Sequence, residues 1–329
     1  MSRVLVTGSA GHLGEALVRR LQPEFDVVGA DIQASPTTTH VGSVADGNFV
    51  KRCMAGVSTV YHTATLHKPH VATHSKRDFL DTNVTGTLNL LESAVNQGVE
   101  AFIFTSTTSA FGEALRPSAK SPAVWITEAI KAPSKNIYGA TKIAAEDLCY
   151  LFYRQHALPC LALRTSRFFL EADDNAQTRA AFSDPNIKAN EFLHRRVDLE
   201  DVVEAHLLAA NKAPSLAFQP LIISATSPFT EGDLAQLRID APAVLAQRVP
   251  RYQAIYRELE WTMNPTLDRV YVNDRARNVL GWQPRHDFHT VLDALEAGRD
   301  PRSAIARSVG AKGYHDQTFP DEPYPVEDK

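Results

Sequence analysis

Residues 3–14 of this chain read RVLVTGSAGHLG, and this short stretch decides the fold. The apolar, β-branched run Val4–Thr7 predicts a strand, and a helical pattern begins directly after the glycine turn. Gly8, Gly11 and Gly14 form that turn, where a backbone without side chains lets a pyrophosphate reach the first N–H groups of the helix. Three glycines could also form a tight strand-to-helix turn that binds no ligand. The surrounding sequence therefore decides whether this turn is a cofactor site.

The second predicted strand supplies that context, because Asp31 follows Val27–Ala30 directly. A carboxylate at this place suits the free ribose hydroxyls of NAD and repels the 2′-phosphate of NADP. Taken alone, Asp31 would be an ordinary solvated acid at a strand end. Together with the glycine turn it predicts a dinucleotide site with NAD as the cofactor.

Short apolar runs and longer helical patterns alternate through the first half of the chain. The predicted strands are Val4–Thr7, Val27–Ala30, Thr59–His62, Phe102–Ser106 and Leu161–Leu163. The predicted helices between them are Leu13–Leu21, Phe49–Met54, Phe79–Gln97 and Tyr138–Gln155. Such alternation requires right-handed crossovers between parallel strands. The predicted fold class is therefore α/β, a Rossmann-like doubly wound parallel sheet.

The second half is less regular and is predicted to form a smaller C-terminal substrate-binding cap. Its elements are predicted as a helix over Val197–Ala210, a strand over Leu221–Ile223, and short helices over Ala276–Trp282 and Phe288–Ala297. Polar or Pro-containing stretches such as Glu171–Pro185 and Ser227–Asp240 are predicted to be irregular. We expect residues 1–164 to form an NAD-binding domain to which 197–212 return, and residues 165–329 to form the cap and a polar tail after Gly298.

The composition excludes several classes of protein. The 34 Lys and Arg against 38 Asp and Glu give a formal net charge of −4, which offers no general attraction to nucleic acid or to an anionic membrane. The sequence contains no apolar run of the roughly 18 residues that a membrane span needs, and its N-terminus lacks a signal-peptide layout. Cys53, Cys149 and Cys160 are scattered, as expected for reduced thiols. We therefore expect a cytoplasmic protein with neither a nucleic-acid nor a membrane partner.

Tyr138 and Lys142 are four residues apart on a predicted helix, which places the phenol and the amine on one face. A phenol is a poor base near neutral pH, but an adjacent ammonium and a cationic nicotinamide favour the phenolate. The phenolate can accept a proton from a substrate hydroxyl while a hydride leaves the same carbon. Thr105–Ser109 add a run of hydroxyls at the end of a predicted strand, where ligands of doubly wound sheets bind. In isolation, these features would equally describe a surface aromatic, a solvated charge and a strand-capping loop.

Taken in order, the motifs resemble the short-chain dehydrogenase/reductase superfamily and, more narrowly, its extended branch, the NAD-dependent epimerase/dehydratase family. The resemblance covers roughly residues 3–297, and the ordered set is far more specific than any one motif. The segments that carry it are Thr7–Gly14, Asp31, Val60–Ala64, Asn83–Thr87, Phe102–Gly112, Tyr138–Lys142, Leu163–Arg164, Asp201–Val203 and Leu280–Pro284.

The resemblance implies a role for individual residues. Tyr138 would be the catalytic acid/base, Lys142 its partner, and Thr107 the hydroxyl residue that completes the catalytic set. The residues implied in cofactor binding are Gly8, Ala10, Gly11, His12, Leu13, Gly14, Asp31, Ile32, Ser43, Val44, Thr63, Ala64, Thr65, Asn83, Thr105, Tyr138 and Lys142. The resemblance also implies a homodimer formed through the long helices near 84–97 and 138–155.

Departures from the family patterns narrow the reaction. The family's 4,6-dehydratases carry an Asp-Glu pair after the hydroxyl residue and its decarboxylases carry Glu, whereas Thr108 and Ser109 follow Thr107 here. Reversible oxidation of a carbinol remains. An epimerase would return the hydride to the other face of the carbon, and a dehydrogenase would release a ketone or lactone with reduced NAD. A non-catalytic NAD-binding regulator is a further alternative, which the Tyr138–Lys142 pair disfavours.

The expected substrate is a small molecule, an anionic sugar derivative. Arg167 stands where sugar-nucleotide epimerases often carry Asn, so a smaller anionic polyol or acid is an alternative to a nucleotide sugar. Arginine forks match both phosphate and carboxylate oxygens. The predicted substrate-binding residues are His67, Thr107, Thr108, Arg167, Arg196 and Arg269. No metal site is predicted, because this chemistry needs none and the histidines near 62–74 do not form a compact ligand set.

Overall fold

The computed structural model describes residues 1–313 and contains a doubly wound parallel sheet. The strands are β1 (Arg3–Thr7), β2 (Asp26–Asp31), β3 (His40–Val41), β4 (Val57–His62), β5 (Ala101–Thr107), β6 (Val124–Ile126), β7 (Cys160–Thr165), β8 (Pro220–Ile223) and β9 (Arg269–Tyr271). Within the described residues, seven strands form the main sheet in the order β3-β2-β1-β4-β5-β7-β8, and β6 pairs with β9. Because the order reverses between β1 and β4, a ligand crevice opens at the carboxyl ends of these two strands. The predicted fold class is confirmed.

Helices connect these strands and build the rest of the molecule. They are α1 (His12–Leu21), α2 (Gly47–Cys53), α3 (Lys76–Phe79), α4 (Gly86–Gln97), α5 (Ile137–His156), α6 (Ala176–Ala181), α7 (Asp184–Phe192), α8 (Leu199–Lys212), α9 (Leu234–Leu237), α10 (Ala241–Arg248), α11 (Tyr252–Glu258), α12 (Asp274–Leu280), α13 (Phe288–Glu296) and α14 (Ala304–Val309). Short 3-10 helices occupy Lys68–Ala72, Thr108–Leu115, Ala213–Ser215 and Glu231–Asp233. A π-helical turn, Leu80–Thr85, joins α3 to α4, so the helix predicted over Phe79–Gln97 is α-helical only in part.

Both faces of the main sheet are covered, because successive residues of a strand point to opposite sides. Val4 and Val6 of β1 pack with α1, α8 and α12 on one face. Leu5, between them, packs with α2, α4 and α5 on the other face. Burial on both faces explains why the parallel strands read as nearly continuous apolar runs in the sequence.

A separate hydrophobic core lies within the segment predicted to form the cap, where α7, α10, α11 and α13 pack together. The chain leaves the main sheet after β7, builds α6 and α7, and comes back with α8, which packs against α1. β8 then pairs with β7. The division of the chain into an NAD-binding domain over 1–164 and a cap over 165–329 stays a prediction.

Several short elements are absent from the sequence prediction, namely β3, β6, β9, α6, α7, α9, α10 and α11. Strands of two or three residues carry no recognisable period, and one or two helical turns carry little more. Side chains fix some of these ends instead: Asp240 starts α10 by accepting the N–H of Ala243 at 3.1 Å. No helix within residues 1–313 has the length and apolar character needed to cross a membrane.

Helix α14 lies where the sequence predicts only a polar tail after Gly298. Ala306 and Val309 of this helix are buried in the same core as α1. Two buried side chains in six residues give no visible periodicity, which is why the sequence pattern misses the helix. Residues 314–329 of the predicted tail lie outside the described residues.

The residues after α14 contact the start of the chain. Lys312 forms an ion pair with Glu15 of α1. The backbone N–H groups of Lys312 and Gly313 donate to Glu171 Oε1 at 2.8 and 3.1 Å. Helix α1 therefore packs between the main sheet and a segment almost 300 residues later in the chain.

Candidate active site

The glycine turn between β1 and α1 forms a cradle that fits a backbone without side chains. Gly8 has a φ of +70°, and a Cβ atom on it would lie 2.7 Å from the backbone nitrogen of Ala64. A Cβ atom on Gly14 would lie 1.9 Å from the carbonyl oxygen of Gly8. Gly11 precedes α1 without a side-chain cap, so the first turn keeps N–H groups for an anion. The cradle fits the pyrophosphate of a dinucleotide.

Asp31 lies at the end of β2 and contacts the glycine turn. Its Oδ2 accepts the N–H of Ala10 at 3.0 Å, and its Oδ1 accepts the N–H of Gln33 at 2.9 Å. Ile32 beside it is exposed. The carboxylate therefore has a fixed orientation next to the pyrophosphate cradle. A carboxylate that accepts hydrogen bonds from the ribose hydroxyls requires such an orientation.

Ser43 and Val44 follow β3 and are held by α4. Asn89 of α4 donates through its Nδ2 to the carbonyl oxygen of Val44 at 3.0 Å. Ser43 Oγ accepts the N–H of Ala45 at 3.2 Å. Val44 is buried against Gly86, where a Cβ atom would approach its Cγ2 to 2.6 Å. The segment predicted to contact the adenine side is therefore part of the packed sheet edge.

His12 and Leu13 open α1, and both side chains are buried. His12 Nε2 lies 2.9 Å from Glu171 Oε1, and the imidazole ring is 5.3 Å from the ring of Phe169. Burial raises the pKa of Glu171, but the contacts with His12 and with the N–H of Lys312 outweigh it and lower that pKa to about 2. A cofactor role of His12 would accordingly rest on its backbone, because its side chain faces Glu171.

Asn83 joins the loop after β4 to α5. Its Oδ1 accepts hydrogen bonds from Thr65 Oγ1 at 3.0 Å and from the N–H of Leu66 at 2.8 Å. Its Nδ2 donates to the carbonyl oxygen of Leu66 and to Thr141 Oγ1 at 2.9 and 3.0 Å. Asn83 belongs to the π-helical turn, a distortion frequent at functional sites. All four hydrogen-bonding positions thus fix the loop beside the predicted catalytic helix.

Thr63 and Ala64 fix the same loop to β1. Thr63 Oγ1 donates to the carbonyl oxygen of Thr7 at 2.6 Å, and the N–H of Ala64 donates to Thr7 Oγ1 at 3.2 Å. The loop after β4 therefore borders the glycine cradle. This is the crevice where the strand order reverses.

Tyr138 and Thr107 are brought together from two elements. Thr107 ends β5, and Tyr138 lies in the first turn of α5, which Asn136 caps by accepting the N–H of Gly139 at 3.0 Å. Both side chains are 8% exposed. Burial raises the pKa of Tyr138 to about 12, and the Thr107 hydroxyl opposes the rise. Burial therefore favours the protonated phenol, and the phenolate requires a positive charge beside it.

Lys142 lies one helical turn beyond Tyr138 and is 2% exposed. Its Nζ donates to the carbonyl oxygen of Thr105 at 2.6 Å and lies 4.0 Å from the centroid of the Phe104 ring. Burial lowers the pKa of Lys142 to about 7, although the carboxylate of Glu146 opposes the fall. The ammonium is thus poised to lose or keep its proton near neutral pH.

Two of the three arginines predicted to bind substrate, Arg167 and Arg196, pair with carboxylates of the chain itself. Arg196 is 4% exposed, pairs with Glu191 Oε2 at 2.6 Å and donates to the carbonyl oxygen of Phe169. Arg167 Nη1 lies 2.7 Å from Asp173 Oδ2. Burial raises the pKa of Glu191, but Arg167 and its neighbours outweigh it and hold that pKa well below its usual range. The substrate role of Arg196 stays a prediction, and its buried guanidinium already pairs with Glu191.

Arg269 lies on β9, where its Nη1 donates to the carbonyl oxygen of Leu115 at 3.0 Å and its Nε to Tyr271 Oη at 3.2 Å. The bond to Leu115 ties β9 to the 3-10 helix after β5. The substrate role of Arg269 stays a prediction.

His67 and Thr108 lie on segments that follow strands of the main sheet. Thr108 follows Thr107 directly, and His67 follows the loop that Asn83 holds. The ring of His67 lies 5.3 Å from that of Phe169, which follows β7. The segments after β4 and β7 thus meet. Among residues 1–313, no group of three or more His, Cys, Asp or Glu side chains is arranged to hold a metal ion.

The sequence analysis does not predict an ion pair that lies beside the catalytic residues. Glu146 lies one turn after Lys142, and Arg164 of β7 contacts it through Nη2 at 2.7 Å. The spacing of four that pairs Tyr138 with Lys142 continues to Glu146, so the same helical argument was sufficient to find it. Leu163–Arg164 is one of the segments that carry the family resemblance, but local sequence does not indicate that Arg164 pairs with Glu146.

The chain is similar to a family model, to known sequences and to solved structures. A family model described as "NAD dependent epimerase/dehydratase family" matches residues 4–218. A 3-beta-hydroxysteroid dehydrogenase from Mycolicibacterium neoaurum is 33% identical over 120 residues, so the match spans 33% of this chain and 33% of that protein. A UDP-glucose 4-epimerase from Streptomyces lividans is 24% identical over 338 residues, 89% of this chain and 95% of that protein. A short-chain dehydrogenase/reductase superfamily protein from Agrobacterium tumefaciens, crystallised with NAD, shares the fold with a TM-score of 0.64, at 22% identity over 90% of this chain and 96% of that chain.

Proposed function

Because the chain belongs to the NAD-dependent epimerase/dehydratase family, we propose that it is an NAD-dependent enzyme that oxidises a secondary hydroxyl of a sugar or sugar-nucleotide-like substrate. We propose epimerisation by transient oxidation as its net reaction. The observation that carries the proposal is that Thr107 and Tyr138 are both buried at the site, with Lys142 one helical turn beyond the phenol. This arrangement can remove a proton from a carbinol and return it.

The cofactor expectation agrees with the family and with the site. The glycine cradle fits a pyrophosphate and Asp31 lies where it can meet a ribose, so these residues would hold NAD. When bound, NAD supplies a hydride acceptor and donor. The loop fixed by Asn83 and Thr63 would form the wall of the site on the nicotinamide side.

The chain's own residues manage the proton. In its phenolate form, Tyr138 accepts the proton from the substrate hydroxyl as the carbinol is oxidised, and the resulting phenol donates it back on reduction. Thr107, whose hydroxyl acts on the same phenol, orients the substrate oxygen toward Tyr138. The positive charge of Lys142, one helical turn away, favours the phenolate, which burial alone disfavours.

Net dehydrogenation of a small sugar, sugar acid or alcohol is the second candidate, favoured by the ion pairs around the site. Lys68 pairs with Asp174 at 3.0 Å, and Arg167 pairs with Asp173. A diphosphate would have to compete with these carboxylates for the Lys68 and Arg167 cations. A smaller substrate needs fewer cationic partners and would compete less. The two candidates share the Tyr138 chemistry and differ in whether reduced NAD is released.

A substrate panel tests the proposal. We would incubate the protein and NAD with sugars, sugar acids and nucleotide sugars, follow reduced NAD by absorbance and analyse the products by NMR. Changed stereochemistry without net reduced NAD supports the epimerase, and accumulation of reduced NAD supports the dehydrogenase. Bound NAD with no conversion across the whole panel would overturn both and favour the non-catalytic regulator.

We also propose a cytoplasmic homodimer. Tyr150 and Leu151 on α5 are 44% and 42% exposed, large apolar side chains on one of the two helices expected to pair. Cys53, Cys149 and Cys160 are free and buried, in keeping with a reducing compartment.

A further inference from the structure

A buried carboxylate lies between the catalytic helix and two strands of the main sheet. Glu146 on α5 is 5% exposed. Its Oε1 accepts hydrogen bonds from Ser106 Oγ at 2.5 Å and from Arg164 Nε at 3.0 Å, and its Oε2 accepts from Arg164 Nη2 at 2.7 Å. Arg164 lies 5.0 Å from the centroid of the Phe111 ring. The two-pronged contact leaves the carboxylate a single orientation.

Ser106 connects this carboxylate to the catalytic residues. It lies on β5 between Thr105, whose carbonyl oxygen accepts a hydrogen bond from the Lys142 ammonium, and Thr107, whose hydroxyl lowers the pKa of Tyr138. A displacement of Ser106 would move both partners. Glu146 therefore fixes the distance between α5, which carries the proton-transferring side chains, and the strand end that orients them.

We propose that Glu146 is a positioning residue that keeps Lys142 protonated during turnover, and that Arg164 limits the strength of this effect by sharing the same carboxylate. The proposal rests on the proposed function, in which Lys142 acts through its positive charge. Glu146 itself touches neither substrate nor cofactor in this scheme. Its influence passes through Lys142 and through Ser106.

Among the charged and titratable groups around Lys142, Glu146 is the one that can keep Lys142 protonated. On α5 they are Tyr138, Glu146 and the thiol of Cys149, and Glu146 is the carboxylate among them. From β4, His62 faces Lys142, and burial together with the Lys142 charge holds its pKa well below the usual range, so it is neutral. From α8, His206 contacts Thr105 Oγ1 at 2.9 Å, and burial lowers its pKa to about 4.

Two substitutions separate an electrostatic role from a merely structural one. Glu146→Gln and Arg164→Gln break the same ion pair, so both lower stability. Their effects on Lys142 have opposite signs. Glu146→Gln removes the negative charge and lowers the pKa of Lys142, whereas Arg164→Gln leaves that charge uncompensated and raises it.

The first measurement is direct and needs no substrate. Lysine labelled with ¹³C at Cε is titrated by NMR, and Lys142→Arg identifies the signal. We expect the Lys142 midpoint, near pH 7 in the wild type, to move down by about one unit in Glu146→Gln and to move up in Arg164→Gln.

The second measurement is the pH profile of turnover. A fall of about one unit from a pKa of about 7 lowers the protonated fraction of Lys142 at pH 7 about fivefold, so kcat of Glu146→Gln falls about fivefold at that pH with little change in KM. Glu146→Asp keeps the charge and is expected to restore the profile. Thermal melting verifies that each variant is folded.

If the Lys142 midpoint shifts in the same direction in both single variants, or shifts in neither, the proposal is overturned. The Glu146–Arg164 ion pair would then have only a structural role. If one single variant does not fold, Glu146→Gln combined with Arg164→Gln avoids the uncompensated charge and must still lower the Lys142 midpoint. If the NMR midpoints move as expected but the wild type turns over nothing in the panel, the proposed function fails while the control of the Lys142 charge stands.

Discussion

Gly14→Ala tests the cofactor cradle at its tightest point. A Cβ atom on Gly14 would lie 1.9 Å from the carbonyl oxygen of Gly8 and 2.9 Å from Ser9 Cα. Real Cβ atoms essentially never come closer than 3.0 Å to another heavy atom, so the Gly8 carbonyl must move by about 1 Å. The obstacle is backbone rather than a flexible side chain, and the shift therefore passes to the glycine turn as a whole.

The expected losses of stability and of NAD affinity can be estimated from the packing of the turn and from its N–H contacts to the pyrophosphate. Overpacking of this kind costs about 1–3 kcal/mol of folding free energy. A displacement of 1 Å also breaks N–H contacts to the pyrophosphate, and two such bonds at about 1.5 kcal/mol each amount to about 3 kcal/mol. The dissociation constant of NAD should therefore rise about a hundredfold.

Calorimetric titration with NAD, combined with thermal melting, measures both effects. Gly11→Ala is a graded comparison, because its Cβ would lie 3.3 Å from the Gly8 carbonyl oxygen and needs only a small adjustment. Gly47→Ala is the control, since its nearest contact would be an ordinary 3.6 Å to Asn89 Oδ1. A folded Gly14→Ala protein that binds NAD within about threefold of the wild type would refute the reasoning.

Four further outcomes are expected. Asp31→Ser should weaken NAD binding more than NADP binding, because the carboxylate that repels the 2′-phosphate is gone; equal losses would contradict its role. Tyr138→Phe should reduce turnover by at least about a hundredfold while calorimetry still detects NAD, and retained turnover would exclude Tyr138 as the acid/base. Tyr150→Asp with Leu151→Asp should convert a dimer into a monomer in light scattering, and a wild-type monomer at micromolar concentration would contradict the assembly. The pKa of Glu171 is lowered in the folded protein from 4.5 to about 2, so it stabilises the fold above pH 4.5 and this stabilisation is lost as the pH falls toward 2. Chemical denaturation should therefore show Glu171→Gln less stable than the wild type at pH 7 and a smaller gap near pH 2.

The sequence predicts those parts of the molecule that depend on local pattern. Each of the five strands predicted in the first half is present, with ends displaced by two residues at most. The family resemblance is confirmed by the match over residues 4–218. Tyr138 and Lys142 share a face because helical spacing is a local property. Thr107 acts on Tyr138 because it ends β5 and the phenol lies in the first turn of α5.

Contacts between distant segments could not be predicted in this way. Arg196 reads as a basic residue open to a substrate, but Glu191 on the preceding helix occupies it. His12 contacts Glu171, which lies 159 positions later in the chain. No sequence pattern indicates that these two residues are partners. Charge pairing and burial depend on how elements pack, and single residues in a pattern do not encode their partners.

The contact between α1 and the segment after α14 couples the two ends of the described chain. Arg19 of α1 donates to Ser308 Oγ at 3.2 Å, and Lys312 pairs with Glu15. A ribosome delivers α1 almost 300 residues before residue 312, and domains generally begin to fold as they emerge. The helix that begins at the pyrophosphate cradle therefore cannot complete its packing until residue 312 has been synthesised. Truncation shortly before residue 304 would remove these contacts from the helix that begins at residue 12.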